Sequence, residues 1–397
     1  MLTPAEADAA IAAALEPVPE EELPLAACAG RVLRRAVRAE RDSPPFDRVS
    51  MDGIAFASGG GARREYRVAG REPAGTPALK LESSADCFEV MTGAVLPEGC
   101  DTVVPVERVR SDAGMASIEA AYAPKPWRHV HRRASDARAG DTLLAAGERL
   151  GAPELAIAAS AGQARLAVSR LPGIAVISTG DELVEPGRPV LPHQVRRSNS
   201  YGLAASLTLA GFPPATDLHL PDRKEALETA LGDALERHDV LVISGGVSAG
   251  RFDHVPGVLE SLGVKKVLHQ IAQRPGRPMW FGRSVAGKTV FGLPGNPVSV
   301  LVCLARYVIP ALVSLSGARP AVAARAVLAR DFAFDAPLVC FLPVVLRYDP
   351  DGRMMAEPRP TGGSGDFISL AGTDGFVELP LGPAIHPAGL VAPFHRW

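Results

Sequence analysis

The 397-residue sequence has little cysteine, almost no net charge and no uninterrupted apolar run of bilayer length. Its five cysteines, at positions 28, 87, 100, 303 and 340, form no CxxC pair and stand at no zinc-ligand spacing from histidine. That excludes a zinc-ribbon or disulfide framework, and an odd, scattered set reads as reduced thiols in a cytoplasmic protein. The net charge of −2 argues against a nucleic-acid-binding surface. Residues 1–22 are acidic and lack an apolar stretch behind basic residues, so no secretory signal is expected. The greasiest segment, Val298–Leu315, carries Arg306 and Pro310 and reads as a buried helix, not a membrane span. GxGxxG and GK[ST] are both missing, which disfavours a dinucleotide fold or a Walker A loop. No internal repeat is evident.

Glycine (39) and proline (36) are plentiful instead, and imply many turns. At this length two to four domains are expected. Ala5–Leu15 predicts a helix, with Thr3 as its cap and Pro4 at its first position. The Pro/Glu stretch 17–24 breaks that pattern. Short β-prone runs between Gly/Pro/Asp turns over about 40–138 predict a small β-rich module. From residue 172 strands and helices alternate: Ile174–Ile177, helix Ser200–Ala210, Thr216–His219, helix Arg223–Arg237, Val240–Ile243, helix Pro256–Leu262, Val264–His269, Thr289–Phe291 and helix Val298–Leu312. This is the pattern of a doubly wound α/β domain with right-handed crossovers. Past Arg319 the helical pattern fades and short strand runs predict a small C-terminal β domain.

Three apolar runs end in small-residue polar loops. Gly173–Ile177 leads into Ser178-Thr179-Gly180-Asp181-Glu182. Asp239–Ile243 leads into Ser244-Gly245-Gly246-Val247-Ser248-Ala249-Gly250. Thr289–Phe291 leads into Gly292-Leu293-Pro294-Gly295-Asn296-Pro297-Val298-Ser299. In a parallel sheet ligands bind at the carboxyl ends of strands, where glycines let backbone N–H groups approach an anion. The loops therefore predict one phosphate-bearing ligand held by several strand ends. A tight βα turn explains the glycines of the second loop equally well. Glu182 and Asp253 stand beside that site either as Mg²⁺ ligands or as helix-start acids. Arg274-Pro275-Gly276-Arg277-Pro278 sets two guanidinium groups on a stiff turn, either for an oxyanion or simply exposed on a hairpin. Asn296 is placed to cap a helix. Asp52, Thr92 and Asp136 stand in polar loops of the β-rich module, where single Asp or Thr residues are usually structural. His129 and His131 alternate on a short run with no third metal ligand nearby, which favours a solvated face.

Taken together, these loops resemble the MoeA family of molybdopterin molybdenumtransferases, which includes the E domain of gephyrin. Ser43–Asp47 with Ser50-Met51-Asp52-Gly53 is similar to PxFDxSxMDGYA, and Met91–Ala94 with Pro97–Val104 to MTGAxxPxGADxVV. Ser178–Leu183, Ser198-Asn199-Ser200, Ser244–Asp253 and Gly292–Ser299 resemble STGDEL, SNS, SGGVSxGxxD and GLPGNPVS. The match spans nearly the whole chain.

The resemblance implies a molybdopterin-binding α/β domain at 1–16 and 170–318 and a linker and dimerisation segment at 17–38 and 139–169. It further implies an inserted β-rich module at 39–138 and a C-terminal β domain at 319–397. It implies a homodimer whose cleft is completed by the partner's inserted module, and insertion of molybdate into adenylylated molybdopterin with Mg²⁺ and release of AMP. A molybdopterin adenylyltransferase and molybdenum-enzyme apoproteins are the implied partners. A carrier or scaffold without catalysis is the alternative. By correspondence, Asp52, Thr92, Asp136, Glu182, Asp222 and Asp253 are catalytic, with Glu182 and Asp253 on Mg²⁺. Thr179, Gly180, Asp181, Ser244, Gly245, Gly246, Ser248, Pro294, Asn296 and Pro297 hold the pterin substrate. Arg274, Arg277, Ser299 and Ser364 hold molybdate. The chain departs from the pattern at Ile54 (Tyr in the family), at Ala134-Ser135 before Asp136, at Arg274 and Arg277 (lysines in many members), at Gln270, or His269 with a one-residue slip (a further lysine), and at Pro343 (an arginine in the family, for which Arg347 or Arg359 is the alternative).

Overall fold

The computed structural model describes residues 1–60, 63–247, 253–320 and 322–397. At its centre lies a six-stranded sheet. Thr216–Leu220, Ile174–Thr179, Val240–Ser244 and Thr289–Leu293 run parallel in that spatial order, and Trp280–Ser284 and Val264–His269 extend the sheet as an antiparallel pair. The three strands from Ile174, Val240 and Thr289 are buried along their whole length, as strands covered on both faces should be. Their alternate residues feed two cores. Ile174, Val176, Val240 and Val242 pack with helices Pro4–Ala14 and Asn199–Leu209 and with the helical segment that starts at Pro297. Ala175, Ile177, Leu241 and Ile243 pack with helices Lys224–Arg237 and Val255–Ser261. In helix Lys224–Arg237 the inward stripe is Leu227, Leu231, Ala234 and Leu235, the i, i+4, i+7, i+8 spacing of one helical face. Each fully buried aliphatic side chain contributes about 1.5–3 kcal/mol.

After Ile174–Thr179 the chain passes to Thr216–Leu220 on one side and then crosses to Val240–Ser244 on the other. That reversal opens a crevice at the carboxyl ends of the strands. The predicted alternation omits Trp280–Ser284. The ten residues 270–279 that precede it are too few for a crossover helix, so the chain doubles back and the edge of the sheet is antiparallel.

Outside this layer, Glu20–Pro24 pairs with Arg165–Ser169 and Val37–Arg38 with Thr142–Leu144. The acidic stretch expected only to break a helix is thus a strand, its alternating exposure typical of a two-stranded ribbon at the surface. A second six-stranded sheet runs in the order Thr102–Pro105, Gly53–Phe56, Asp86–Val90, Glu65–Glu72, Met115–Ile118 and Val109–Asp112. A third joins Val339–Tyr348, Met354–Pro358, Arg325–Leu328, Val391–Arg396 and Gly375–Leu379, and closes on itself because the first and last of these also pair. Gln273–Arg274 adds in parallel to Val339–Cys340 at its edge.

The apolar run forms helix Pro297–Cys303, a π-turn over Leu304–Val308 and helix Ile309–Leu315. Pro310 has no N–H to offer the carbonyl of Arg306, and the π-turn lies directly before it. By length and composition Pro297–Leu315 could cross a membrane. Here it lies largely in the core, and Arg306 is clamped by Asp8 (both oxygens at 2.8 Å) and Glu378 (2.7 Å). Burial opposes the charge on this guanidinium, but the two carboxylates outweigh it and hold the group firmly protonated.

Candidate active site

Two cavities meet at one wall. The first, about 660 Å³, lies over the carboxyl ends of the parallel strands, as the loops predict. Thr179, Glu182, Asp222, Ser244, Gly245, Gly246, Asp253, Asn296 and Pro297 line it. The second, about 690 Å³, is lined by Arg274, Arg277, Pro294, Ser299 and Ser364. Gly295 and Asn296 line both.

Hydrogen bonds build the wall. Asn199 Nδ2 donates to Ser244 Oγ (2.9 Å) and to the Gly295 carbonyl (2.7 Å), tying two strand-end loops together. Asn296 stands at the cap position of helix Pro297–Cys303, but its side chain caps nothing and donates to Ser364 Oγ (2.8 Å) instead. The Ser364 carbonyl accepts from Val298 N–H (3.1 Å) in the first turn of that helix. A loop of the C-terminal sheet thus supplies the cap and stands between the cavities.

In the first cavity Gly245 has φ +98°, and a Cβ there would lie 2.8 Å from the Thr179 carbonyl, so only glycine permits this approach of the two loops. Among the described residues, the buried hydroxyls of Ser178 and Thr179 and the Nε of Arg197 have no partner. All three residues belong to the wall of the first cavity. Burial, and then the negative charges of Glu182, Asp181 and Asp253, push the Asp222 carboxyl above its ordinary range. Negative charge is therefore crowded around this one carboxyl. Among the described residues, however, no three His, Cys, Asp or Glu side chains converge closely enough to hold a metal ion. A cation here would need ligand oxygens as well, the usual state of Mg²⁺.

The remaining assignments divide. Gly180 and Asp181 line neither cavity: Gly180 offers its carbonyl to His219 Nε2 (2.9 Å), and Asp181 acts through its charge on Asp222. Pro294 lines the second cavity and not the first. Ser248 lies outside the described residues. Asp52 and Thr92, in two separate loops of the sequence, form one unit: Asp52 Oδ1 accepts from the Thr92 backbone N–H and hydroxyl, both at 2.7 Å, and these bonds lower the Asp52 carboxyl below its usual range. Asp136 receives His131 Nε2 at 2.7 Å, while His131 Nδ1 meets Arg48 Nη2 at 3.0 Å. A guanidinium can only donate, so Nδ1 accepts and Nε2 carries the proton. His131, expected on a solvated face, is partly exposed and links Arg48 to Asp136. None of Asp52, Thr92 and Asp136 lines either cavity of its own chain.

Arg196, Arg197 and Phe367 line the first cavity without having been singled out by the motifs. Phe367 follows Ser364 closely enough to have been found as the continuation of that loop. Of the departures, Pro343 lines the second cavity, whereas Ile54 is buried within its sheet.

This architecture, a strand-end cavity joined to an arginine-lined one under a C-terminal β cap, defines a multidomain α/β protein with a two-part cleft. Residues 2–162 match the MoeA N-terminal region (domains I and II), 175–314 a probable molybdopterin binding domain, and 325–395 the MoeA C-terminal region (domain IV). The chain is 44% identical to a molybdopterin molybdenumtransferase of Synechocystis sp. over 93% of each chain. To that of Bacillus subtilis it is 29% identical, over 90% of this chain and 85% of the other. The molybdopterin biosynthesis MoeA protein of Pyrococcus horikoshii superposes with a TM-score of 0.79 at 31% identity, covering 100% of this chain and 99% of that one. The chain belongs to the MoeA family.

Proposed function

We propose that this protein is a molybdopterin molybdenumtransferase: it inserts molybdate into adenylylated molybdopterin and releases AMP and molybdenum cofactor. The observation that carries this is the pair of cavities sharing the Gly295–Asn296 wall, one at the carboxyl ends of the parallel strands and the other lined by Arg274 and Arg277. Thr179, Ser244 and the backbone of Gly245 and Gly246 bind the phosphate end of the pterin. Arg274, Arg277, Ser299 and Ser364 hold molybdate close to it. Glu182 and Asp253 would hold Mg²⁺ beside Asp222, and the excess negative charge there fits such an ion. When bound it neutralises phosphate charge.

Asp52, Thr92 and Asp136 join this cleft from a second subunit, which accounts for their lying in neither cavity of their own chain. The reading carries with it a cytoplasmic homodimer, receiving its pterin from an adenylyltransferase and passing the cofactor to apoenzymes. It also carries the four-part division given above, with boundaries near residues 16, 38, 138, 169 and 318.

The test is direct. Purified protein with adenylylated molybdopterin, Mg²⁺ and molybdate should release AMP and activate a molybdenum-free apoenzyme. Asp253→Ala should lose about 100-fold of that activity or more. Tight pterin binding with no molybdate-dependent AMP release would indicate a carrier and overturn the proposal.

A further inference from the structure

We propose that Gln273, Cys303 and Tyr307 are positioning residues that set the oxyanion affinity of the second cavity by fixing the Arg274–Arg277 turn from behind. The inference rests on the assignment of that cavity to molybdate.

Gln273 and Tyr307 are, at 0% and 1% exposure, among the most buried polar groups in the molecule. The Tyr307 hydroxyl donates to Gln273 Oε1. Gln273 Nε2 donates to the Pro275 carbonyl (3.3 Å) and lies 3.7 Å from Cys303 Sγ, which reaches the Gly276 carbonyl at 3.6 Å. The orientation of the amide follows from its partners: a carbonyl only accepts, so the NH₂ end must face Pro275 and the oxygen must face the tyrosine. The two central carbonyls of the turn are thereby drawn into the core.

The turn is closed on its flanks as well. Ile271 N–H donates to the Arg277 carbonyl and Gln270 N–H to that of Met279, both at 2.9 Å. Gln273 and Arg274 also pair with Val339 and Cys340 of the C-terminal sheet. Gly276 has φ +92°, and a Cβ there would fall 2.6 Å from Cys303 Sγ and 2.8 Å from Gln273 Nε2, so no slack remains behind the turn.

With the carbonyls held inward, the exposed Arg274 and Arg277 project into the cavity together with Ser299. Two like charges three residues apart repel each other, and long side chains lose freedom when they close on an anion. A backbone already locked reduces what binding must order. Tyr307 lies in the π-turn that interrupts the core helix, a distortion frequent at functional sites. Burial pushes the Cys303 thiol up to about 12, so it serves as a neutral donor and not as a nucleophile.

The experiment compares Tyr307→Phe, Cys303→Ser and Cys303→Val in the full-length protein, by steady-state kinetics with molybdate and pterin varied in turn, with thermal unfolding in parallel. Tyr307→Phe and Cys303→Val should raise the molybdate KM about tenfold, the worth of one buried hydrogen bond. Their kcat and pterin KM should stay within about twofold. Cys303→Ser keeps a donor and should remain near wild type. An unmoved molybdate KM, a joint shift of all three parameters, or Ser behaving like Val would each overturn the proposal. If the wild type shows no molybdate-dependent turnover, the functional assignment fails on its own. Calorimetric binding of molybdate alone then decides the network: weaker binding by Tyr307→Phe at unchanged melting temperature supports it, and equal affinity overturns it.

Discussion

Asp222 is the residue at which stability and activity pull apart. Its carboxyl titrates above its unfolded value because it is partly buried beside Glu182, Asp181 and Asp253. A group with a raised folded pKa contributes stability below its unfolded pKa and loses it as pH rises through the folded one. At neutral pH the charge is therefore a cost. Asp222→Asn should raise the melting temperature by about 1–3 °C at pH 7 while AMP release falls steeply. The gain should shrink as pH falls and vanish in melts at about pH 3, below the unfolded Asp pKa, and it should shrink when Mg²⁺ is added to the wild type. Asp136 runs the other way. The bond from His131 lowers its carboxyl, so its contribution is present above the unfolded Asp pKa and is lost as pH falls through the folded one. His131→Phe should weaken AMP release by about tenfold, and His131→Asn should recover part of it by restoring a donor.

At the scale of elements, the core helix is the joint of the structure. Arg306 ties helix Pro4–Ala14, through Asp8, to strand Gly375–Leu379, through Glu378. The same residue opposes burial with two carboxylates, and Glu378, despite its own burial, is held below the usual carboxylate range by His395 and Arg306. Removing the cation leaves the buried Glu378 with His395 in place of a permanent charge, so Arg306→Met should cost about 3 kcal/mol, read as a lower urea midpoint. That deficit should narrow in unfolding series taken below about pH 4, where the carboxylates protonate in the unfolded chain. Much of this level was legible in the sequence. Ile174–Thr179 and Val240–Ser244 announce themselves because strands covered on both faces must be continuously apolar. Helix Pro4–Ala14 announces itself through Thr3 and Pro4, with the Thr3–Glu6 capping box complete in the structure. Trp280–Ser284 and Glu20–Pro24 were not legible, since their pairing depends on where a turn or a distant strand puts them.

The site shows the same division. The glycine and acidic loops could be read because each is set by its local strand end. The pairing of Asp52 with Thr92 and the network behind Arg274 join residues far apart in the chain, and no local pattern encodes them. At the scale of the whole molecule, the separation of Asp52, Thr92 and Asp136 from both cavities leads to a complementation test. Asp52→Ala and Asp253→Ala proteins should each be inactive alone. Unfolded and refolded together, they should recover up to about a quarter of wild-type AMP release, because half the dimers are mixed and each mixed dimer holds one intact site. A cleft completed within one chain would give no recovery.

The clamp on Arg306 also bears on synthesis. Asp8 precedes it by 298 residues, but Glu378 follows 72 residues later. A ribosome therefore delivers the most apolar helix of the protein well before the second of its two counter-charges exists. Through that interval the helix has only Asp8 to balance its buried cation, and the sheet that seals Phe341 and Phe376 against Val298 and Val302 is unfinished. A chain released short of residue 378 should collect as aggregate, and the final strands act as the last fastening of a core begun long before them.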